Sequence, residues 1–382
     1  MHKLGLKHKI SQFVRQQKNS DVDWYLIGAI WLLVVIGIII ISSAGVALGW
    51  QKYQDAYWFL KHQLLFGILP GSLLFIFFWF FDYKKLEKLA APMLYVSIGL
   101  LVLVLIPGIG ADWGTSRSWL DIFGYSLQPS EIVKLTFLIY LTAWLARKEE
   151  RHFKDIGEGL IPFAIILTII IALLVAEPDT GTMMIIAAVS LAVYFTAGGR
   201  LLHLSWLGLA GIAGLWLIIR LAPYRLARMT TFLHPELDPQ GRGYHINQAL
   251  LAVGTGGWFG LGYGHSRQKF AYLPEPVGDS IFAVTAEEFG FFLSAALIAL
   301  YVFIAVRGLK LAAKCRDPFA RLLAVGIVTW LTAQALVNIG AIIGVMPLTG
   351  VTLPFVSYGG TSMMMSLAAA GILANISKQT RI

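Results

Sequence analysis

The strongest constraint in this chain is a repeated one: ten apolar runs, each about as long as a helix that crosses a bilayer, which takes roughly 20 residues. They occupy positions 24–45, 57–81, 89–107, 129–146, 160–176, 181–197, 202–220, 280–306, 319–345 and 355–376. Only 13% of the 382 residues are charged and 57% are hydrophobic, whereas soluble domains carry about a quarter charged residues. The expected fold is all-α: a polytopic membrane protein with ten transmembrane helices. The single cysteine, Cys315, excludes an internal disulfide and a cysteine metal cluster.

Positions 1–23 are polar and basic, without an apolar core or a small-residue cleavage site, and read as a cytoplasmic tail. The membrane domain then covers 24–376, and 377–382 form a second short tail. The net charge of +9 could suggest nucleic acid, but the basic residues stand in short blocks between apolar runs. That pattern fits orientation in a membrane, not a nucleic-acid partner. Twenty of the 30 Lys and Arg fall in the two tails and in the loops that contain Lys84, Arg147, Arg200 and Arg307. The short loops on the other side hold only Lys52, Lys61 and Arg117. Both termini are therefore expected in the cytoplasm, with the loop between helices 7 and 8 outside.

That loop, 221–279, is the main polar interruption of the chain. Arg225 and Arg228 open it at helical spacing, a Pro- and Gly-rich middle follows, then Arg267 and Lys269. It closes on Pro274-Glu275-Pro276-Val277-Gly278-Asp279, which delivers a carboxylate to the mouth of the next apolar helix. Structureless loops of this length are usually functional when ordered. Four shorter motifs fall on the same external side: one around Arg117, Gln128-Pro-Ser-Glu131-Ile-Val-Lys134, Glu177-Pro-Asp179-Thr-Gly181-Thr, and the 346–362 stretch that contains Ser357. Unrelated loops would scatter their polar groups over both faces, so the clustering points to one extracytoplasmic site.

Each motif also has a purely structural reading. Glu131 and Lys134 share a helix face and could simply pair, although ionisable groups in hydrocarbon usually mark function. Asp179 could cap the sixth helix. One of Glu287 and Glu288 is expected to face a polar groove, because two dry carboxylates would be costly. The run Gly254–Gly264 lacks the spacing and the strand–helix context of a nucleotide loop and reads as a turn or short re-entrant segment. His234, His245 and His265 lack zinc-ligand spacing, and Met363–Met365 read as helix packing.

The stretches QPSEIVK (128–134), EPDTGT (177–182), RGYHINQALLAVGTGGWFGLGYGHSRQKFAYLPEPVGDSIFAVTAEEFGF (242–291) and PLTGVTLPFVSYGGTS (347–362) together resemble the SEDS family of bacterial cell-wall polymerases. The 262–279 stretch and the TGVTLPFVSYGG segment are closer to its division branch than to its elongation branch. One departure is visible: Ser118 follows Arg117 where the family often has a second arginine. The resemblance implies a ten-helix peptidoglycan glycosyltransferase of the bacterial cytoplasmic membrane that polymerises lipid II with a class B penicillin-binding protein. Other divisome or elongasome membrane proteins would be further partners.

The chemistry such an enzyme needs can be set against these residues. A departing diphosphate needs cationic stabilisation, from Arg117, Lys134, Arg225, Arg228, Arg267, Lys269 or a divalent cation such as Mg or Mn. No tightly bound cofactor is expected. Glu131, Asp179 and Ser357 complete the expected substrate-binding set. Asp279 is the family-matching carboxylate and the expected general base, held ionised by the N-terminal dipole of the helix that follows. Two rival classes stay open: a lipid II flippase or transporter, and a scaffold for other wall enzymes. A transporter would line a path through the membrane midplane, whereas these ionisable groups gather on one face.

Overall fold

The computed structural model describes residues 22–113, 116–122, 125–148, 150–239, 241, 243–270 and 272–380. Its helices in chain order are α1 (Trp24–Ala44), α2 (Val46–Tyr53), α3 (Trp58–Phe80), α4 (Tyr83–Lys88), α5 (Ala90–Leu105), α6 (Pro129–Ala146) and α7 (Ile156–Ala176). They continue with α8 (Thr180–Thr196), α9 (Leu201–Leu221), α10 (Pro223–Leu233), α11 (Tyr244–Thr255), α12 (Ile281–Lys314), α13 (Pro318–Ile342) and α14 (Gly360–Gln379). Among the described residues, seven helices are long and apolar enough to cross a membrane: α1, α3, α7, α9, α12, α13 and α14. α5 and α8 are shorter apolar helices. The chain is a multi-pass membrane protein.

These helices are apolar on nearly every side, as expected where one face meets protein and the other meets lipid. The protein core lies along α6, α13 and α14, which are mostly buried, while α9 buries almost nothing. α14 packs along α3, α5 along α6, and α13 against both α12 and α8. Starts are set by local chemistry: Asp23 caps α1 by accepting from Leu26 N, Asp82 caps α4, Asp179 caps α8 and Asp317 caps α13.

Three features differ from the sequence reading. The fold is not purely helical: β1 (Gly110–Trp113), β2 (Ser116–Ile122) and β3 (Tyr125–Leu127) form an antiparallel meander between α5 and α6. Nothing in a short polar loop between two apolar runs announced it. The 221–279 loop is not structureless, since it contains α10 and α11. Proline at the first position of α10 is well suited to a helix start, and the apolar spacing of Ile246, Ala249 and Ala252 gives α11 its buried face.

The third difference is in α12, which runs 34 residues but is broken at Gly290 (φ 75°, ψ −171°). At the break the helix exchanges its own hydrogen bonds for bonds to the 257–262 turn. Leu261 N and Gly262 N donate to the carbonyls of Glu287 and Glu288, and Phe291 N donates to Gly257 O. The backbones approach so closely that a Cβ on Gly260 would collide with Glu288 O, and one on Gly290 with Gly260 N. The glycine-rich run is thus a backbone splint in a broken helix. On the helix side of this splint, every residue from Ser280 to Glu288 is buried.

Candidate active site

The four motifs and the long loop meet at one end of the bundle through specific hydrogen bonds. Ser130 Oγ donates to Asp179 Oδ2 at 2.8 Å, joining α6 to the start of α8. Gln128 N donates to Thr361 Oγ1 at 3.2 Å, joining the same motif to α14. Ser118 Oγ donates to the Glu177 carbonyl at 2.8 Å, so β2 is tied to the α7–α8 turn. Arg225 Nη2 donates to Val175 O at 2.9 Å, which holds α10 over that turn.

The tail of the long loop is stitched in most tightly. Ser357 Oγ accepts from Leu353 N at 2.8 Å and donates to Gly278 O at 2.7 Å. Tyr358 N donates to Val277 O at 2.8 Å. Asn338 on α13 donates from Nδ2 to both Asp279 O at 2.8 Å and Val351 O at 2.7 Å. These bonds fix the backbone on either side of Asp279 while leaving its carboxylate to other partners. Ser280 Oγ lies 3.4 Å from Asp279 Oδ1, and the Gly350 backbone passes beside Oδ2.

The sequence reading has the dipole of the following helix favour ionised Asp279; in the structure burial works against it. The pKa of Asp279 is pushed up to about 7, first by burial and then by the Glu275 carboxylate, with Ser280 and Arg228 pulling the other way. Ser280, not Asp279, is the N-cap of α12. A carboxylate with a pKa near neutrality is a stronger proton acceptor than an ordinary one and is still half ionised at pH 7. Glu177 is displaced further, to about 9, by burial and by Asp179. Among the described residues neither of its buried carboxyl oxygens has a hydrogen-bond partner, which fits a carboxyl that favours its protonated form.

The candidate cations divide into two groups. Lys134 and Glu131 form a 2.8 Å pair in which both side chains are 4% exposed or less, and Lys134 Nζ also donates to Gln334 Oε1 at 2.7 Å. Gln334 in turn donates to Thr352 O at 2.9 Å, so Lys134 bears on the site through the 346–358 segment and not by reaching into it. Lys269 is likewise enclosed: it donates to Glu288 Oε1, Ser43 Oγ and Gly264 O, all within 2.8 Å. Arg225 is buried against α7. Arg228 and Arg267 keep exposed side chains, and Arg228 acts electrostatically on both Asp279 and His245. Arg117 has its backbone in β2, and its side chain lies outside the described residues.

Other expectations are resolved by the same contacts. Asp179 is a helix cap: Oδ1 accepts from Thr182 N at 2.9 Å and Oδ2 from Ser130. Neither Glu287 nor Glu288 faces a groove. Glu287 accepts from Ser266 Oγ and from the backbone N–H groups of Arg267 and Gln268, and Glu288 pairs with Lys269. These donors offset much of the cost expected of two dry carboxylates, although Glu288 Oε2 is buried with no partner among the described residues. Sequence reading weighed His245 only as a zinc ligand and missed Gln334 and Asn338. The last two had a signal, being amides four residues apart on one face of an apolar helix. Among the described residues no three His, Cys, Asp or Glu side chains converge.

With this geometry in place, comparison with known proteins decides the family. The FtsW, RodA and SpoVE family model, described as "Cell cycle protein", matches residues 23–382. The chain belongs to this family. Stage V sporulation protein E of Bacillus subtilis is 38% identical to it over 364 residues, 95% of this chain and 99% of that protein. A probable peptidoglycan glycosyltransferase FtsW of Legionella pneumophila is 38% identical over 365 residues, 95% of this chain and 92% of that protein. Among solved structures, a chain from a peptidoglycan synthase complex that coordinates polymerization and crosslinking superposes with a TM-score of 0.76 at 28% identity. That match covers 94% of this chain and 98% of that one. The rod shape determining protein RodA of Thermus thermophilus gives 0.69 at 26% identity, covering 96% and 99%. The likeness of this FtsW/RodA/SpoVE chain therefore extends across the whole membrane domain.

Proposed function

We propose that this chain is a peptidoglycan glycosyltransferase that polymerises lipid II on the outer face of the cytoplasmic membrane, in septal wall synthesis during division. Relatives named as peptidoglycan glycosyltransferase FtsW support the activity and the division branch. The observation that carries the reading is Asp279: a carboxylate of near-neutral pKa, its backbone pinned by Asn338 and Ser357, where the long loop meets the 346–358 segment.

In the proposed reaction the acceptor sugar's 4-hydroxyl attacks the donor's anomeric carbon, and the bond to the lipid diphosphate breaks. Asp279 takes the hydroxyl proton, and the leaving electron pair goes to the diphosphate, whose developing charge would be stabilised by cations such as Arg228 and Arg267. A single displacement inverts the linkage. Arg117, Arg225, Lys134, Lys269, Glu131, Asp179 and Ser357 contribute by shaping or lining the site. No step requires a resident metal; a Mg or Mn ion would enter with the diphosphate oxygens, which suit such hard cations.

The frame belongs to the same proposal. The seven long apolar helices, together with α5, α6 and α8, make ten spans, with 221–279 as the extracytoplasmic loop and 1–23 and 377–382 as cytoplasmic tails. Support comes from the far end of the bundle, where the basic blocks collect: Arg307 pairs with Asp23 at 2.7 Å and Arg147 with Glu87 at 3.4 Å. Reporter fusions at Lys148, Arg200 and Lys314 should read cytoplasm and fusions within 237–243 the exterior.

A class B penicillin-binding protein is the proposed partner, supported by the matching chain's membership of a synthase complex. The test is polymerisation of purified lipid II by the full chain, alone and with that partner, beside a vesicle translocation assay. Glycan strands support the proposal. Translocation with no strands under either condition would replace it with the transporter reading.

A further inference from the structure

We infer that His245 is a positioning residue for Asp279: its Nε2 orients the Ser280 hydroxyl, and that hydroxyl sets how readily Asp279 gives up its proton. The inference rests on Asp279 being the base of the proposed reaction. His245 lies at the start of α11, whose Ile246, Ala249 and Ala252 are buried and which packs against α12. Its Nε2 is 2.6 Å from Ser280 Oγ, and Ser280 Oγ is 3.4 Å from Asp279 Oδ1. Ser280 is completely buried, so no bulk water competes for its one hydrogen.

The direction of this chain follows from counting donors. A neutral imidazole carries one N–H and a serine one O–H. If Ser280 gave its hydrogen to His245, it would have none for Asp279. With the imidazole hydrogen on Nε2, His245 donates to Ser280 Oγ and the serine hydrogen turns to the carboxylate, where it favours the ionised form. His245 stays neutral in this role, because burial, aided by Arg228, lowers its pKa to about 4. It therefore supplies orientation without adding charge.

The other groups around Asp279 come from separate elements. Glu275 approaches from its own loop and Arg228 from α10. Asn338 of α13 and Ser357 bind the neighbouring backbone carbonyls and are uncharged. The His245–Ser280 contact is thus a neutral adjustment laid over the opposed charges of Glu275 and Arg228.

The test is the pH–rate profile of lipid II polymerisation by the full chain with its penicillin-binding partner. Parent, His245→Ala, His245→Gln and Ser280→Ala are compared. Losing the oriented hydroxyl should move the acidic inflection upward by roughly 0.5–1 pH unit in His245→Ala and Ser280→Ala. His245→Gln, which keeps an N–H at the Nε2 position, should keep the parental inflection. A uniform loss of rate with unmoved inflections in both variants would overturn the inference, because a merely structural role predicts that pattern. If His245→Ala does not fold, Ser280→Ala removes a single hydroxyl and reads the same quantity. Asp279→Asn, run alongside, separates the two layers. Normal polymerisation by it removes the base reading itself, while its inactivity beside unmoved inflections removes only the role of His245.

Discussion

Lys269 Nζ lies 2.7 Å from Glu288 Oε1, with side chains 2% and 0% exposed. This pair, with Ser43, locks the 264–269 turn to the first half of α12 and so fixes the approach to Asp279. A cation that the sequence offered to the substrate is instead committed to the scaffold.

Breaking one side of such a pair leaves a buried charge, which typically costs about 3–5 kcal/mol. Lys269→Met should therefore lower the unfolding temperature and abolish activity. Lys269→Met combined with Glu288→Gln should regain part of the lost stability, because no bare carboxylate remains. Thermal unfolding in detergent measures both, and a single variant that melts with the parent would contradict this account of the turn.

For Glu131 and Lys134 the pairing alone is not enough. Gln334 Oε1 accepts from Lys134 Nζ and from Trp330 Nε1, while its Nε2 donates to Thr352. Reversing the pair with Glu131→Lys and Lys134→Glu would set a carboxylate against that accepting oxygen. The double variant should stay as inactive and as destabilised as Lys134→Ala. Full recovery of polymerisation would show a simple ion pair with no part in holding the 346–358 segment.

The splint in α12 gives a matched pair of glycine substitutions. Gly260 has φ +81° and backs onto the Glu288 carbonyl, whereas Gly254 has open space around it. Gly260→Ala should undock the turn and cost several-fold or more in folded yield. Gly254→Ala, inside α11, should be neutral or stabilising by up to about 1 kcal/mol. Equal behaviour of the two in a thermal melt would remove the argument from close approach.

These contacts show what could be read from the chain and what could not. Long apolar runs are a local property, so the multi-pass helical frame and its seven membrane-length helices were legible, as were the motifs that hydrogen bonds bring together near Asp279. The cap at Asp179 could be read as one of two alternatives because capping depends on a few adjacent residues. The partners of Lys134, Lys269 and Arg225 depend on contacts between distant segments, and no local pattern distinguishes a substrate-facing cation from one already paired. The burial that raises the pKa of Asp279 escaped the sequence for the same reason: the helix dipole is visible there, whereas the packing of distant segments is not. The small sheet around Arg117 had no apolar alternation strong enough to announce it.

The central claim is tested most directly by Asp279→Asn. The substitution keeps size and hydrogen-bonding capacity while removing the charge, and base removal acts on the barrier without necessarily changing ground-state binding. General-base catalysis typically contributes about 10²–10⁴-fold. Polymerisation of lipid II by the purified variant with its partner should fall by that factor or to background, with folding and lipid II binding retained. Arg228→Ala or Arg267→Ala should weaken binding as well as rate. Glycan strands made by Asp279→Asn at near the parental rate would contradict the account.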